Sequence, residues 1–333
     1  MKIFVAGASG AIGLPLVQLL VSKKHEVIGM TRSPAKGKVL EQLGATAVVA
    51  DVFDPAALER VVREVAPTHM VHLLTAIPKN GPMRPSDMAA TNRLRTVGTA
   101  NLLQAAIAAG VKRIVGESFM TVYGYGKRDG EWRTEADPLP EQTANGGIEE
   151  VVTALRSLEQ QFLAANQQGL IEAIPLRYGM IYGPENSATQ YMVQMVRKRM
   201  LPTFSGLTGV SSFVHIADAV SATLAALERG LPGEIYNIVD DEPVSMNHFI
   251  TALASATGAK RPFSIPLWLM RWMAPVMVAT ISADLPLSNA KAKRELGWKL
   301  QFPSYKEGVQ DVARYVQDSS PLGQTAPGVA VHK

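Results

Sequence analysis

Three glycines near the N-terminus have the spacing of a loop that binds a diphosphate. Gly7, Gly10 and Gly13 lie between a short apolar segment and a segment with helical periodicity. In such a loop the first glycine allows a tight turn, the second lets the backbone approach a phosphate, and the third lets the helix pack on the strand. Backbone N–H groups at the helix start then face the diphosphate. The predicted contacts are Gly7, Ser9, Gly10, Ala11, Ile12 and Gly13.

The end of the second apolar segment predicts which dinucleotide is bound. Sites for NAD(H) usually place Asp or Glu there, where the carboxylate binds the ribose hydroxyls. This chain has Thr31, Arg32 and Ser33 instead. A guanidinium flanked by two hydroxyls suits a 2′-phosphate, so the sequence favours NADP(H). In the alternative interpretation Arg32 stacks on the adenine, and NAD(H) is bound as well.

The glycine loop and Arg32 need strands and helices to position them. Short apolar segments do alternate with helical patterns through the first half of the chain. The predicted strands are residues 2–6, 25–30, 46–50, 69–73, 113–117 and 170–176, and the predicted helices are residues 11–24, 34–43, 55–66, 85–109 and 148–166. Apolar strands separated by helices indicate a parallel sheet covered on both faces. We therefore predict an α/β fold with a Rossmann-like, doubly wound parallel sheet.

The second half of the chain predicts a smaller substrate lobe. Residues 1–180 form the predicted dinucleotide-binding domain, to which residues 213–240 return, and residues 181–318 mainly form the C-terminal lobe. Residues 319–333 lack periodicity and are expected to be a flexible tail. Trp268, Trp272 and Val276 share a helical spacing. That face is expected to be core or a subunit contact, or alternatively a lid over an apolar substrate pocket.

Several motifs in a fixed order resemble the extended short-chain dehydrogenase/reductase family, also called NAD-dependent epimerases/dehydratases. Besides the glycine loop, they lie at residues 51–52, 71–76, 92–103, 122–124, 176–184, 213–218 and 295–298. The resemblance implies further cofactor contacts: Asp51 and Val52 at the adenine, Leu74, Thr75 and Ala76 at the ribose and diphosphate, Asn92 on the next helix, and Tyr178 near the nicotinamide.

The catalytic residues usual in that family are missing from their places. Its members normally use Ser or Thr together with Tyr-x-x-x-Lys, in which the Tyr exchanges a proton with the substrate and the Lys lowers the pKa of the Tyr. Alignment on the 122–124 motif and on Glu159 puts Phe119, Val151 and Leu155 at the three places. Residues 146–158 contain neither Tyr nor Lys, so a shift of register does not restore the motif.

Catalysis would therefore need a surrogate acid. The resemblance places four hydroxyl side chains around the nicotinamide as candidates, namely Tyr178, Tyr123, Thr121 and Ser118. For each tyrosine the alternative is ordinary packing with a satisfied hydroxyl. Three functions stay open: an atypical oxidoreductase that exchanges hydride with a small organic substrate at C–O or C=C, a non-catalytic NADP(H)-binding regulatory protein, and a scaffold.

Composition argues against several other classes. The chain has no Cys, which removes disulfides, thiolate metal sites and a Cys nucleophile. Its six His show no metal-ligand spacing, so no metal is predicted. The net charge of +4 is scattered, which argues against nucleic acid. Uninterrupted apolar stretches of about 20 residues are absent, so no membrane span is predicted. A cytoplasmic protein is expected, since the N-terminus lacks signal-peptide features.

A homodimer is a further expectation from the two long predicted helices, 85–109 and 148–166. In similar proteins this helix pair often forms the subunit contact. Val151, Val152, Leu155 and Leu158 lie at helical spacing and fit either that contact or the core of the chain itself.

Overall fold

A computed structural model describes residues 1–78, 80–126, 131–140 and 148–318 of the chain. Its strands are β1 Lys2–Ala6, β2 Glu26–Thr31, β3 Thr46–Val49, β4 His69–His72, β5 Arg113–Phe119, β6 Glu172–Tyr178, β7 Met180–Tyr182, β8 Thr203–Ser205, β9 Phe213–His215, β10 Tyr236–Ile238 and β11 Ser264–Pro266. Its helices are α1 Gly13–Ser22, α2 Pro34–Gln42, α3 Pro55–Val65, α4 Ala89–Arg93, α5 Thr99–Ala108, α6 Glu149–Gln167, α7 Ser187–Arg197, α8 Ile216–Arg229, α9 Met246–Ala256, α10 Leu267–Met273, α11 Pro275–Ser282, α12 Ala290–Leu296 and α13 Tyr305–Asp318.

Seven parallel strands form the main sheet, in the order β10-β6-β5-β4-β1-β2-β3. The chain moves outward from β1 to β3 and then returns to β4 on the other side of β1. The strand order therefore reverses between β1 and β4, and a crevice forms beyond the carboxyl ends of these strands. This topology confirms the predicted doubly wound α/β fold.

Alternating side chains of the strands bury two helical layers against the sheet. Ile3 and Val5 of β1 belong to a buried cluster with Leu16 of α1, and this cluster continues into α8. Phe4, between them, points to the opposite face and shares a cluster with Leu58 of α3. Since both faces of β1 are covered, its nearly continuous apolar sequence follows from its central position.

The smaller lobe has its own core, built on two-stranded sheets in which β7 pairs with β9 and β8 with β11. Phe213 of β9 and Phe249 of α9 stack with ring centroids 4.5 Å apart. Of the segment 213–240, β9 joins this lobe, whereas α8 packs on the main sheet and β10 forms its edge strand. The predicted tail, residues 319–333, lies outside the described residues.

The segment predicted as one helix over residues 85–109 is broken. It begins with a 3₁₀ turn, Pro85–Met88, continues as α4, widens into a π-helical turn, Leu94–Gly98, and resumes as α5. A π turn contains an extra residue and is frequent at functional sites. Arg95 lies within it and is 3% exposed.

For the apolar face of α6 the structure agrees with the core interpretation, and for the tryptophan face it excludes that interpretation. Val151, Val152, Leu155 and Leu158 lie in the core of the chain itself, so they do not offer a subunit contact. Trp268 and Trp272 are 62% and 90% exposed, and so they are not core. The helix breaks before Pro275, where α11 begins, and Val276 therefore shares no continuous helical face with the tryptophans.

Candidate active site

A crevice of about 640 Å³ opens at the carboxyl ends of β1, β2, β4 and β5. One end, which we call the β2 end, is formed by the glycine loop and the end of β2. The other, the β5 end, is formed by the end of β5 together with α6 and α11. Ligands of doubly wound sheets bind at this position, where the strand order reverses.

The glycine loop fits a diphosphate. Gly7 has φ +90°, and a Cβ on it would lie 2.5 Å from the carbonyl oxygen of Leu73. A Cβ on Gly13 would lie 2.1 Å from the carbonyl oxygen of Gly7, so the close approach of α1 to β1 requires glycine. No side chain caps α1, and its first turn has no acidic residue. The loop residues that line the crevice are Gly7, Ser9, Gly10, Ala11, Ile12 and Gly13.

Cations and hydroxyls line the β2 end. Arg32 and Lys36 are exposed and line the crevice together with Thr31 and Ser33. Thr31 Oγ1 lies 3.3 Å from Ser9 Oγ and accepts a hydrogen bond of 3.3 Å from the Ser33 N–H. Lys36 was not predicted from the sequence, although α2 begins at Pro34 and its first turn necessarily lies beside the end of β2.

Asp51 and Val52 follow β3 and also line the β2 end. Asp51 Oδ1 accepts a hydrogen bond of 3.0 Å from the Phe53 N–H. The Val52 carbonyl accepts one of 2.9 Å from Asn101 of α5. These bonds fix a short turn whose Val52 side chain is buried while Asp51 is exposed. Of the residues after β4, Leu74 and Thr75 line the crevice.

Two predicted cofactor contacts lie away from the crevice lining. The Ala76 N–H donates a hydrogen bond of 3.0 Å to Thr91 Oγ1, so this residue is tied to α4 instead. Asn92 lies on α4 with its Oδ1 buried, and it does not line the crevice either. The expectation for both is therefore corrected, although Ile77 and Pro78, which follow Ala76 in the chain, do line the crevice.

Apolar side chains form a wall at the β5 end. Phe119 and Val151, at the places of the family's usual hydroxyl and Tyr, both line the crevice. Leu155, one helical turn along α6 at the place of the Lys, is completely buried. The apolar lining residues at this end include Met88, Phe119, Val151, Met180 and Val276.

Three of the four hydroxyl side chains predicted as surrogate acids lie away from the crevice, so their predicted role is wrong. Tyr178 is completely buried, and its hydroxyl lies 2.6 Å from Thr223 Oγ1 on the far side of β6. Ser118 is also completely buried and donates a hydrogen bond of 2.6 Å to Glu159. Neither residue lines the crevice, because each side chain faces a covering helix rather than the open end of the sheet.

Tyr123 is the third of these side chains that does not line the crevice. Its buried hydroxyl lies 3.0 Å from both the Thr134 carbonyl oxygen and Asn237 Oδ1, and its single proton is shared between these two acceptors. Lys127 follows it by four residues in the sequence, which is the spacing of the family's Tyr and Lys, and lies outside the described residues. Thr121 does line the crevice at the β5 end.

Glu117 and Arg95 line the β5 end and were not predicted from the sequence. Burial raises the pKa of the Glu117 carboxyl to about 7, and the Arg95 guanidinium opposes this rise. Burial also lowers the pKa of His72, on β4, to about 4, so His72 is neutral at neutral pH. A carboxylate near the end of a buried parallel strand was the available signal for Glu117. The sequence contained no comparable signal for Arg95, because charged residues are common in a predicted surface helix.

The described part of the chain offers neither a metal-binding cluster nor a membrane-spanning helix. In the ranges that the structure describes, His, Asp and Glu form no group of three or more arranged to hold a metal ion. Within the same ranges, every helix is too short or too polar to cross a membrane.

Comparisons with known proteins agree with this architecture. The chain is 33% identical over 312 residues to a 3-diazoavenalumate denitrifying reductase of Streptomyces, covering 93% of this chain and 99% of that protein. It is 26% identical over 347 residues to a 4-hydroxy-2-methyl-3-oxo-4-farnesyl-3,4-dihydroquinoline-1-oxide ketoreductase of Stigmatella aurantiaca, covering 98% of each.

The fold is shared with enzymes of known structure. The UDP-glucose 4-epimerase of Thermus thermophilus in complex with NAD superimposes with a TM-score of 0.78 at 22% identity, covering 96% of this chain and all of that one (100%). The model of the NAD-dependent epimerase/dehydratase family matches residues 3–239. The chain therefore belongs to the NAD-dependent epimerase/dehydratase family, whose extended short-chain dehydrogenase/reductase members are NAD(P)-dependent oxidoreductases and epimerase-like enzymes.

Proposed function

We propose that the protein is an NADP(H)-dependent reductase that transfers a hydride to a small organic acceptor with an apolar body. The observation that carries this proposal is the crevice, in which an uncapped helix start and two cations lie opposite an apolar wall. A diphosphate at the glycine loop and an adenosine beside Arg32 direct the second half of a dinucleotide toward the ends of β4 and β5. When bound, the nicotinamide supplies the hydride.

The β2 end supports NADP(H) over NAD(H). The guanidinium of Arg32 can bind a phosphate through two parallel hydrogen bonds. Lys36 adds a second positive charge at the same end of the crevice. The hydroxyls of Thr31 and Ser33 are additional donors there. Asp51 follows β3 rather than β2, so it does not occupy the place where a carboxylate selects the free ribose hydroxyls of NAD(H).

The β5 end defines the kind of acceptor. Phe119, Val151 and Val276 exclude water from the reacting end and contact an apolar or aromatic body. Because neither Val151 nor Leu155 can exchange a proton, the acceptor is one whose reduction does not depend on a Tyr–Lys pair.

A diazo group is the acceptor class that we place first. The 33%-identical relative is named as a denitrifying reductase of a diazo compound. Reduction of a neutral diazo carbon adds one hydride and one proton to that carbon, and the carbon–nitrogen bond breaks to release N₂. No carbinol oxygen is formed, so the phenol of a catalytic Tyr has no oxygen to protonate.

The experiment supplies purified protein and NADPH with three acceptors built on one aryl-substituted carboxylate, which carry a neutral diazo carbon, a ketone or an enone outside the ring. We expect NADPH loss and N₂ release in equal amounts with the diazo compound, and slower turnover with NADH. Turnover of the ketone or enone instead would contradict the proposed acceptor class but would still support the reductase function. NADPH binding in a calorimeter without turnover of any acceptor would overturn the reductase and favour a non-catalytic regulatory protein.

A further inference from the structure

Glu117 and Arg95 occupy the β5 end of the crevice from two different elements. Glu117 lies two residues before Phe119 on β5, and the alternation of the strand places both on the same face of the sheet. Arg95 reaches the same end from the π turn between α4 and α5. Both therefore lie in the half of the crevice beside Val151, where the family's usual acid is missing.

Arg95 is a buried cation, and two of its three guanidinium nitrogens have no hydrogen-bonded partner among the described residues. Its side chain is 3% exposed, and its Nε and Nη1 have no partner among the described residues. Glu117 is near enough for each charge to affect the pKa of the other, yet the two side chains form no ion pair among the described contacts. A buried guanidinium left in this state is costly to stability, which indicates a functional rather than a structural use.

The other titratable groups around Glu117 are neutral at neutral pH. His72 on β4 has a pKa lowered to about 4 by burial and by Arg95. Tyr178 on β6 and Tyr125 after β5 both have pKa values raised by burial. Among the described residues, Arg95 is therefore the charged group that acts on the Glu117 carboxyl from the elements packed around it.

We propose that Glu117 is the proton donor that accompanies hydride transfer, and that Arg95 is the positioning residue whose charge acts on its carboxyl. This inference rests on the proposed reductase. The hydride adds to one atom of the acceptor, and the electron pair of the broken bond moves to the neighbouring atom or to the leaving group. The Glu117 O–H bond breaks as its proton bonds to the acceptor. The carboxylate that is left faces Arg95 and regains a proton from solvent.

A carboxyl titration tests the pair without an acceptor. The protein with bound NADP⁺ is titrated by infrared spectroscopy, which follows the carbonyl stretch of protonated carboxylic acids. An Asp240→Asn background removes the other carboxyl in this region of the titration, because burial raises the pKa of Asp240 to about 8. We expect a band that disappears near pH 7 and is absent in Glu117→Gln. In Arg95→Met its midpoint should move up by roughly one pH unit, and Arg95→Lys should restore it.

No titrating band, or a midpoint that ignores Arg95, would overturn the proposal, provided that calorimetry shows unchanged NADPH binding by the variants. Kinetic measurements then distinguish a failure of the Glu117 proposal from a failure of the proposed reductase function. With the acceptor that the wild type reduces, Glu117→Gln should lower kcat by about 100-fold or more and remove the fall in kcat/KM near pH 7. A variant with full kcat and an unchanged pH profile overturns Glu117 while the reductase stands. A wild type that reduces no acceptor overturns the reductase, and with it the donor role.

Discussion

The hydroxyl of Tyr178 lies 2.6 Å from Oγ1 of Thr223, in the core between β6 and α8. Thr223 donates its own proton to the Ala219 carbonyl at 2.7 Å, so Tyr178 is the donor of the pair. Burial raises the pKa of Tyr178. The tyrosine therefore keeps its proton and serves the packing of α8 on the sheet.

Tyr178→Phe should leave turnover within about twofold of the wild type while lowering the free energy of unfolding by about 1 kcal/mol, the usual loss for one buried hydrogen bond. Urea denaturation and kcat/KM measured on the same preparation test both parts. Thr223→Val is the matched control and should lower stability similarly. A large loss of turnover in the Phe variant with unchanged stability would contradict this prediction and would indicate that Tyr178 takes part in catalysis.

Arg32→Ala should weaken NADPH by about 10- to 100-fold, because a charge-assisted hydrogen bond contributes about 1.5–3 kcal/mol. NADH, which lacks the 2′-phosphate, should be affected little. Lys36→Ala should act in the same direction and more weakly. Lys38→Ala is the control, since Lys38 is exposed on the same helix but does not line the crevice. Titration of protein fluorescence with each coenzyme measures the effect, and equal losses for NADPH and NADH would contradict the 2′-phosphate contact.

The parts of the site that could be predicted from the sequence are those set by local geometry. Gly7 and Gly13 are required by backbone distances within one strand–turn–helix unit, and Arg32 directly follows the strand that positions it. Their places in space follow from their places in the chain. Six of the seven strands of the main sheet were predicted as well, because strands in a covered parallel sheet have nearly continuous apolar sequences. The seventh, β10, was expected only as part of the returning segment 213–240.

The parts that could not be predicted depend on which way a side chain points. Tyr178 lies in a strand that is buried on both faces, so the sequence carries no alternation to show which face it occupies. Arg95 turns inward because of a π turn, and the surrounding residues were equally compatible with a continuous α-helix. The surroundings of Glu117 include residues that are distant from it in the chain, such as Arg95 and Tyr178.

Gly13→Ala should prevent the fold or abolish coenzyme binding, because the added Cβ would lie 2.1 Å from the Gly7 carbonyl oxygen and 2.9 Å from backbone atoms of Ala8. Neither contact can be relieved by rotating a side chain. Gly37→Ala is the control, since its Cβ would meet the Ala47 methyl at 3.4 Å. Circular dichroism and NADPH titration of the two variants test the difference, and a Gly13 variant that binds like the wild type would contradict the close approach of α1 to β1.

Asp240→Asn should stabilise the protein at alkaline pH. Asp240 is 1% exposed, its Oδ2 has no partner among the described residues, and burial raises its pKa to about 8 from an ordinary 3.8. The folded state therefore binds this proton more tightly than the unfolded state. The resulting contribution to stability is fully present below about pH 4 and is lost as the pH rises through about 8. Between about pH 5 and about pH 9 the variant should gain roughly 4 kcal/mol relative to the wild type, measured as the difference in urea unfolding free energy. If that difference is the same at both pH values, Asp240 is ionised in the folded protein throughout the range, and the prediction is wrong.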